Sequence, residues 1–185
     1  MKPKYIIVAA IVAAFVGFIV FSPEGSKNIS GSASSGRKPI PAEGSPVPAL
    51  ALKDLSGAQF NIESEKGNVV IVNFWATWCP PCKAELPSLN NLYAQMLDRK
   101  DLKIVTIPYN DSPENGLKYF KDNGFNLPIL VDAGGQAAYR YGLTGVPETF
   151  FIDRKGVLRK WIKGPIHFDS QDAINYINTL LAEQS

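Results

Sequence analysis

Hydrophobic and polar positions alternate along the chain in segments that predict strands followed by helices. Apolar residues run almost unbroken through 69–76 and again through 102–108, as is typical of strands buried on both faces. The segment between them predicts a helix over 80–98, with a kink at Pro87 because the proline ring removes an internal hydrogen bond. This part of the chain therefore predicts a strand, a helix and a second strand in succession.

Shorter segments, separated by turn residues, complete the pattern. The first predict a hairpin over 49–52 and 59–62 around Ser56-Gly57 and a helix between the cap Ser112 and Gly124. The next predict a strand over 129–132, a helix over 136–141 and a hairpin over 149–153 and 157–162. The last predicts a helix capped by Asp169 or Ser170. The apolar side chains of that last helix share one face: Ala173, Ile174, Ile177, Leu180 and Leu181. Strands that alternate with helices predict an α/β fold, with a mixed central sheet flanked by helices.

The amino terminus predicts a membrane anchor. Lys2 and Lys4 precede an uncharged apolar stretch that ends near residue 22, about the minimum length for a membrane-spanning helix. Because basic residues stay on the cytoplasmic side, we expect everything after this stretch on the extracytoplasmic, periplasmic side of the cell membrane. A cleaved signal peptide is the alternative, but the small residues around 31–34 lie far beyond the apolar stretch. The pattern favours an uncleaved signal anchor over residues 1–22.

Composition divides the rest of the chain into a linker and one domain. Residues 23–46 are rich in glycine, serine and proline and predict a flexible linker. Residues 47–185 suit one compact domain with a single core. The formal net charge is +2 and no basic patch stands out, so we expect no nucleic acid partner.

The two cysteines of the chain lie together in Cys79-Pro-Pro-Cys82, where the first long strand gives way to the helix. A Cys-x-x-Cys pair at this place is typical of a thiol-disulfide redox centre. Unpaired backbone amides and the helix dipole stabilise a thiolate at the first position, so Cys79 is the predicted nucleophile and Cys82 the resolving thiol. A static disulfide closing so small a loop would constrain little chain entropy, and a zinc site would need a second cysteine pair. We therefore expect a redox-active disulfide, no metal and no cofactor.

Three separated motifs carry a resemblance to a known family. The segment Asn73–Pro87, read as NFWATWCPPCKAELP, resembles the active-site region of the membrane-anchored, thioredoxin-like family that includes TlpA, ResA and CcmG (DsbE). The segment Tyr141–Asp153, read as YGLTGVPETFFID, and the tripeptide Tyr109–Asp111 are most similar to the CcmG branch. The similarity spans roughly residues 45 to 183 and implies a thioredoxin-like fold. The tripeptide has no evident mechanism in the sequence, so Asn110 and Asp111 are not assigned to the site.

The resemblance implies a cis-proline dipeptide and a proton acceptor beside the cysteines. Val146-Pro147 matches the cis-proline position, which leaves the backbone of Val146 free to pair with an extended substrate. Thioredoxin carries an aspartate where this chain has Asn73, which accepts no proton at neutral pH, so another base is needed. Glu85 matches the acidic position of the family, and burial would raise its pKa and let it accept the proton of Cys82. The alternative is an exposed Glu85 that only solvates the helix.

Other residues near these motifs have weaker assignments. Glu148 matches a second acidic position and is expected to shape the substrate groove or tune the thiols; the alternative is a solvated charge at a strand end. Trp78 precedes the nucleophile and is expected to contact substrate, whereas Trp75 is expected to pack in the core. Lys83 either assists the Cys79 thiolate electrostatically or lies solvated on the helix surface.

The expected function is reduction of protein disulfides outside the cytoplasm. Because that side is oxidising, the cysteine pair is either an oxidant or a reductant with a dedicated electron supply. The resemblance implies a reductase of apocytochrome c or its carriers, supplied by a membrane thiol transporter of the CcdA or DsbD type. A TlpA-like reductase for copper-site assembly and a disulfide oxidant are alternatives.

A copper chaperone of the Sco type is a further alternative, with His167, the only histidine, as the third ligand. Two residues separate the cysteines here, whereas Sco-like sequences have three. A peroxiredoxin is disfavoured, because its Pro-x-x-x-Thr-x-x-Cys pattern is absent from the sequence.

Overall fold

The computed structural model describes residues 41–184. The predicted anchor, residues 1–22, and the linker up to residue 40 lie outside the described residues. Within residues 41–184, no helix combines the length and the apolar character needed to cross a membrane.

The described chain alternates strands and helices in the predicted order. Its strands are β1 (Ala51–Asp54), β2 (Gln59–Asn61), β3 (Val69–Trp75), β4 (Leu102–Pro108), β5 (Leu130–Val131), β6 (Glu148–Ile152) and β7 (Leu158–Lys163). Its α-helices are α1 (Pro80–Gln95), α2 (Pro113–Asn123), α3 (Gln136–Arg140) and α4 (Gln171–Ala182), and a short 3-10 helix spans Ile62–Glu65. Strand β4 and helix α2 have the bounds that the sequence predicts, and most other elements differ by one to a few residues at their ends.

A four-stranded mixed sheet forms the centre of the fold, in the order β4-β3-β6-β7. Strand β3 pairs parallel with β4 and antiparallel with β6, and β6 pairs antiparallel with β7. Strands β1 and β2 form an antiparallel hairpin, and β1 also pairs with β5. A single bridge between Thr106 and Ile129 brings the end of this second sheet beside β4. The predicted mixed sheet flanked by helices is therefore confirmed.

Strand β3 is buried along its whole length because side chains pack against both of its faces. Ile71 and Trp75 point into a cluster that contains the apolar faces of α1 and α4. Val70 and Phe74 point to the opposite side, into a cluster with Tyr141 from the loop after α3. This explains why the sequence of β3 lacks polar alternation.

Local capping residues fix where the helices begin and end. Ser112 accepts a hydrogen bond from the Asn115 N–H and begins α2, and Gly124 ends it with a left-handed φ of 69°. Ser170, rather than Asp169, caps α4 by accepting from the Ala173 N–H. Helix α1 is continuous across Pro87 and ends at Gln95, three residues before the predicted end at residue 98.

Residues just before the expected domain boundary at residue 47 make hydrogen bonds to the C-terminal hairpin. The Gly44 N–H donates to the Leu158 carbonyl, and the Leu158 N–H donates to the Ser45 carbonyl. The Glu43 side chain accepts from the Trp161 N–H. Residues 43–46, which the composition assigns to the linker, therefore lie along β7.

Candidate active site

The cysteine pair lies where β3 ends and α1 begins. Cys79 and Cys82 form a disulfide with a Cα–Cα distance of 5.3 Å. Cys79 is the N-cap of α1, and its sulfur accepts a hydrogen bond from the Cys82 N–H at 3.2 Å. Cys79 is 3% exposed, whereas Cys82 is fully buried. The geometry makes Cys79 the sulfur nearer to solvent and gives it a backbone donor that stabilises a thiolate.

The loop before β6 lies against this disulfide. The Val146–Pro147 peptide bond is cis, as the resemblance implies. The carbonyl oxygen of Val146 lies 3.6 Å from the Cys79 sulfur. The structure therefore brings the two motifs of the predicted site together.

Glu85 is buried on α1, one helical turn beyond Cys82, with 1% of its surface exposed. Its Oε1 accepts from Asn73 Nδ2 at 2.8 Å, and its Oε2 accepts from the Ile166 N–H at 3.0 Å. Burial raises the pKa of Glu85 to about 7, and the hydrogen bonds from Asn73 and Ile166 only partly oppose this rise. A carboxyl group that titrates near neutral pH is suited to accept and return a proton. The alternative of an exposed Glu85 is wrong.

Ser88, which the sequence reasoning missed, supports the surroundings of Glu85. Its hydroxyl donates to the Glu85 carbonyl oxygen at 2.8 Å and accepts from the Phe168 N–H at 3.1 Å. The hydrogen bond from the Phe168 N–H to Ser88 and the one from the Ile166 N–H to Glu85 together hold the 166–168 loop on α1. A serine on the core-facing side of an otherwise apolar helix stripe was the available signal.

His167 lies in that same loop, and its side chain is exposed. Among residues 41–184, no group of three or more histidine, cysteine, aspartate or glutamate side chains is arranged to hold a metal ion.

Glu148 follows the cis-proline and is 2% exposed, so the alternative of a solvated charge at the strand end is wrong. Its Oε1 accepts from the backbone N–H groups of Thr144 and Gly145, both at 3.0 Å, and from the Thr144 hydroxyl. Its Oε2 accepts from Trp161 Nε1 at 2.9 Å. Glu148 thus fixes the loop that presents Val146 to the disulfide.

The two tryptophans near the cysteines lie in different surroundings. Trp78 is 57% exposed, and its indole Nε1–H donates to the Asn110 carbonyl at 3.0 Å. Trp75 is fully buried and stacks on Phe120 with a ring-centroid distance of 4.7 Å. The expected core position of Trp75 is confirmed, and the exposed ring of Trp78 is available to a substrate.

Lys83 lies on the exposed side of α1, and its Nζ is 5.4 Å from the centroid of the Tyr119 ring. This distance is within the range of a cation–π contact.

Asp111, left without a role by the sequence, binds the chain just before Cys79. Its Oδ2 accepts from the Thr77 N–H at 2.7 Å and from the Thr77 hydroxyl at 2.6 Å. Its Oδ1 accepts from Ser112 N–H and Asn115 Nδ2. Burial alone would raise the pKa of Asp111, but the hydrogen bonds led by Thr77 together lower it below its ordinary value. Asp111 therefore stays ionised at neutral pH.

Comparisons with known proteins agree with this site. The AhpC/TSA family model matches residues 44–161. The thiol-disulfide oxidoreductase ResA of Geobacillus thermodenitrificans is 34% identical over 123 residues, covering 66% of this chain and 70% of that protein. The thioredoxin-like protein YneN of Bacillus subtilis is 35% identical over 118 residues, covering 63% of this chain and 69% of that protein.

A solved structure with the same fold comes from Chlorobium tepidum. This protein, described as the thiol:disulfide interchange protein DsbE, superposes with a TM-score of 0.68 at 26% identity, covering 77% of this chain and 99% of that one. The matched family model covers more than half of the chain, and the cysteine pair forms a disulfide at the start of α1. The chain therefore belongs to the AhpC/TSA family, as a thioredoxin-like thiol-disulfide oxidoreductase similar to ResA and DsbE.

Proposed function

We propose that this thiol-disulfide oxidoreductase is a membrane-tethered reductase of protein disulfides, acting in cytochrome c maturation on the extracytoplasmic side of the cell membrane. The observation that carries the direction of the reaction is the buried carboxyl of Glu85 one turn from Cys82. Negative charge near a thiol opposes formation of the thiolate. An ionised Glu85 therefore destabilises a thiolate in the reduced pair, which favours the Cys79–Cys82 disulfide and makes the reduced pair an electron donor.

The proposed reaction begins with the reduced pair. The Cys79 thiolate attacks one sulfur of the substrate disulfide, which forms a mixed disulfide and releases the other substrate sulfur as a thiolate that takes up a proton. Cys82 then loses its proton to Glu85 and attacks the Cys79 sulfur. This step releases the second substrate sulfur as a thiolate, which takes up a proton as Glu85 gives up the one it received from Cys82. The Cys79–Cys82 disulfide remains, so two electrons pass from the enzyme to the substrate. The bound substrate chain lies along Val146 and contacts Trp78. The buried Glu148 shapes this groove by holding the loop at Thr144 and Gly145.

The physiological setting is argued from the sequence. The apolar stretch after Lys4 supports tethering to the membrane, and the segment Tyr141–Asp153 supports the CcmG (DsbE) branch. On an oxidising side of the membrane the enzyme needs an electron supply, for which a CcdA- or DsbD-type membrane transporter is the proposed partner. Apocytochrome c is the proposed substrate.

The order of attack is tested by trapping substrates. We expect Cys82→Ser to accumulate mixed disulfides through Cys79 in cells, visible as reducible high-mass bands identified by mass spectrometry. The double variant Cys79→Ser/Cys82→Ser is the control and should form none. Trapping through Cys82 in Cys79→Ser, with none in Cys82→Ser, would show that the order is reversed.

The direction is tested by the reduction potential of the purified full chain, equilibrated with glutathione or dithiothreitol. A value of about −270 to −200 mV supports a reductase, whereas a value near about −120 mV would make the protein an oxidant.

The pathway is tested by deleting the gene and staining membranes for covalently bound haem. Loss of c-type cytochromes, restored by the wild-type chain but not by Cys79→Ser, supports the proposal. Normal cytochromes c with a defect corrected by added copper would instead favour a reductase for copper-site assembly.

A further inference from the structure

The 109–112 turn between β4 and α2 contacts the chain that leads into Cys79. Hydrogen bonds join the two segments. The Tyr109 N–H donates to the Trp75 carbonyl at 2.7 Å, and the Trp78 Nε1–H donates to the Asn110 carbonyl at 3.0 Å. The N–H and the hydroxyl of Thr77 both donate to Asp111 Oδ2, at 2.7 and 2.6 Å. The turn thus binds backbone or side-chain groups on both sides of Ala76.

We propose that the 109–112 turn is a positioning device for the nucleophile, in which Asp111 holds Thr77 and thereby fixes the indole of Trp78 beside Cys79. This inference rests on the proposed function in one respect, because it takes the exposed ring of Trp78 as a surface for a protein substrate.

The segment before Cys79 needs such support. Residues 76–79 belong to neither β3 nor α1, so no strand or helix ladder fixes the backbone of Thr77. The Asp111 carboxylate replaces that ladder with two hydrogen bonds to one residue, and bonds to a charged acceptor are stronger than neutral ones. Asp111 itself is held from α2 by the Asn115 side chain. The active-site segment is therefore attached to a rigid helix.

The turn also sets which part of Trp78 faces outward. Asn110 has a left-handed φ of 47°, uncommon for a residue other than glycine, and in this conformation its carbonyl accepts from the indole N–H. With its single donor occupied, the indole leaves mainly its apolar ring surface to a substrate. Asp111 does not contact Trp78, so it acts on the ring only through Thr77 and the shape of the turn.

The structural part of the inference is tested by hydrogen exchange of the indole N–H groups in the full chain, followed by NMR in mild detergent. Three tryptophans give three signals, and Trp78→Phe assigns the one of interest. We expect Asp111→Ala to speed exchange of the Trp78 indole N–H on the order of tenfold, since a charge-assisted contact is lost. The Trp161 indole, bound to Glu148, should not change.

Matched variants separate this effect from general loosening of the fold. Asp122→Ala removes an exposed aspartate from the same helix α2 and should change neither signal. If Asp111→Ala speeds exchange of both the Trp78 and the Trp161 indole, the fold has loosened generally. The test then uses Thr77→Val, which removes only the hydroxyl donor. A selective increase for Trp78 in Thr77→Val supports the inference, and no selective increase in either variant overturns it.

The functional part is tested by a double-mutant cycle on the reduction of insulin. We expect Asp111→Ala to lower kcat/KM about five- to tenfold in the wild-type background, but less than about twofold in Trp78→Phe, because Asp111 affects the reaction by positioning the Trp78 ring. Equal losses in both backgrounds would overturn the inference.

The two proposals fail in different ways. If the wild-type chain does not reduce insulin although its cysteines are reduced, the proposed function fails, while indole exchange still decides whether Asp111 positions Trp78. If insulin is reduced and exchange at Trp78 is unaffected by both Asp111→Ala and Thr77→Val, only the positioning role fails.

Discussion

Two buried carboxyl groups flank the cysteine pair, and their surroundings differ. Glu85 lies on α1 and accepts one N–H on each oxygen, from Asn73 and Ile166. Glu148 begins β6 and accepts from two backbone N–H groups, a hydroxyl and an indole. Both residues are almost completely inaccessible to solvent.

Burial alone does not define the role of an acidic residue. The two donors around Glu85 do not offset its desolvation, so its pKa rises to about 7 and it is suited to exchange a proton. Glu148 uses both oxygens to hold residues 144 and 145 and the Trp161 ring in place. We interpret Glu85 as the proton-transfer group and Glu148 as the anchor of the substrate loop.

The largest effect is expected from making the Glu85 region more acidic. Asn73→Asp replaces the donor to Glu85 Oε1 with a second carboxyl group at hydrogen-bond distance. At pH 8 this leaves an uncompensated buried charge, so we expect the free energy of unfolding to fall by about 3 to 5 kcal/mol. The loss should be smaller at pH 5, where the two groups share a proton. Urea denaturation of the oxidised full chain at both pH values measures this.

The control is Asn178→Asp, the same chemical change at an exposed position of α4. It should alter the free energy of unfolding by no more than about 0.5 kcal/mol. Equal stability of Asn73→Asp and wild type at pH 8 would contradict the assignment of Glu85 as a buried, titrating group.

A smaller effect is expected from replacing the Glu148 carboxyl group with an amide. In Glu148→Gln the amide oxygen still accepts from Thr144 and Gly145, but the NH2 group then faces the Trp161 indole N–H. Two opposed donors leave hydrogen bonds unmade, so the free energy of unfolding should fall by about 2 kcal/mol.

Trp161→Phe removes the opposing donor and tests this explanation. The double variant Glu148→Gln/Trp161→Phe should lose less stability than the two single variants together. Strict additivity in thermal or urea unfolding would show that the indole contact is not the reason for the loss.

The smallest difference in stability from wild type is expected for Glu85→Gln. Because the folded-state pKa is raised from 4.5 to about 7, the folded protein holds a proton that the unfolded chain has released between these values. Protonated Glu85 therefore contributes fully to the stability of the wild-type fold below pH 4.5, and this contribution disappears as the pH rises through 7. The free energy of unfolding of wild type falls by about 3 kcal/mol over this range.

Glutamine does not ionise, so Glu85→Gln should lack this decline. The variant avoids the cost of ionisation but loses one hydrogen bond to a charged acceptor. We therefore expect it to be more stable than wild type by about 1 kcal/mol at pH 8 and to lose that advantage by pH 5. Glu63→Gln, an exposed change, is the control and should follow the wild-type pH curve. Parallel curves for Glu85→Gln and wild type would contradict the raised pKa.

Much of the fold could be predicted from the sequence because its signals are local. Strand β4, the cap Ser112, the stop at Gly124 and the position of Cys79 at the start of α1 each follow from a few adjacent residues. The end of α1, predicted at residue 98 and observed at Gln95, has no sharp local signal.

The roles within the site could be predicted only in part. The motifs identify Glu85 and Glu148 as acidic candidates, but both alternatives for each residue remained open in the sequence. Ser88 and Asp111 were missed because their contacts with Phe168 and Thr77 join residues 80 and 34 positions apart.

Local signals in the sequence were therefore sufficient for the order of the elements, the Cys79-Pro-Pro-Cys82 redox pair and the position of the cis-proline motif. Only the tertiary structure decided that Glu85 is buried with two donors, that Glu148 is buried with more, and that Asp111 holds the segment before Cys79. The physical reason is that periodicity, caps and turns act over a few neighbouring residues. Desolvation and hydrogen-bond partners arise from residues that meet only when the sheet and helices pack.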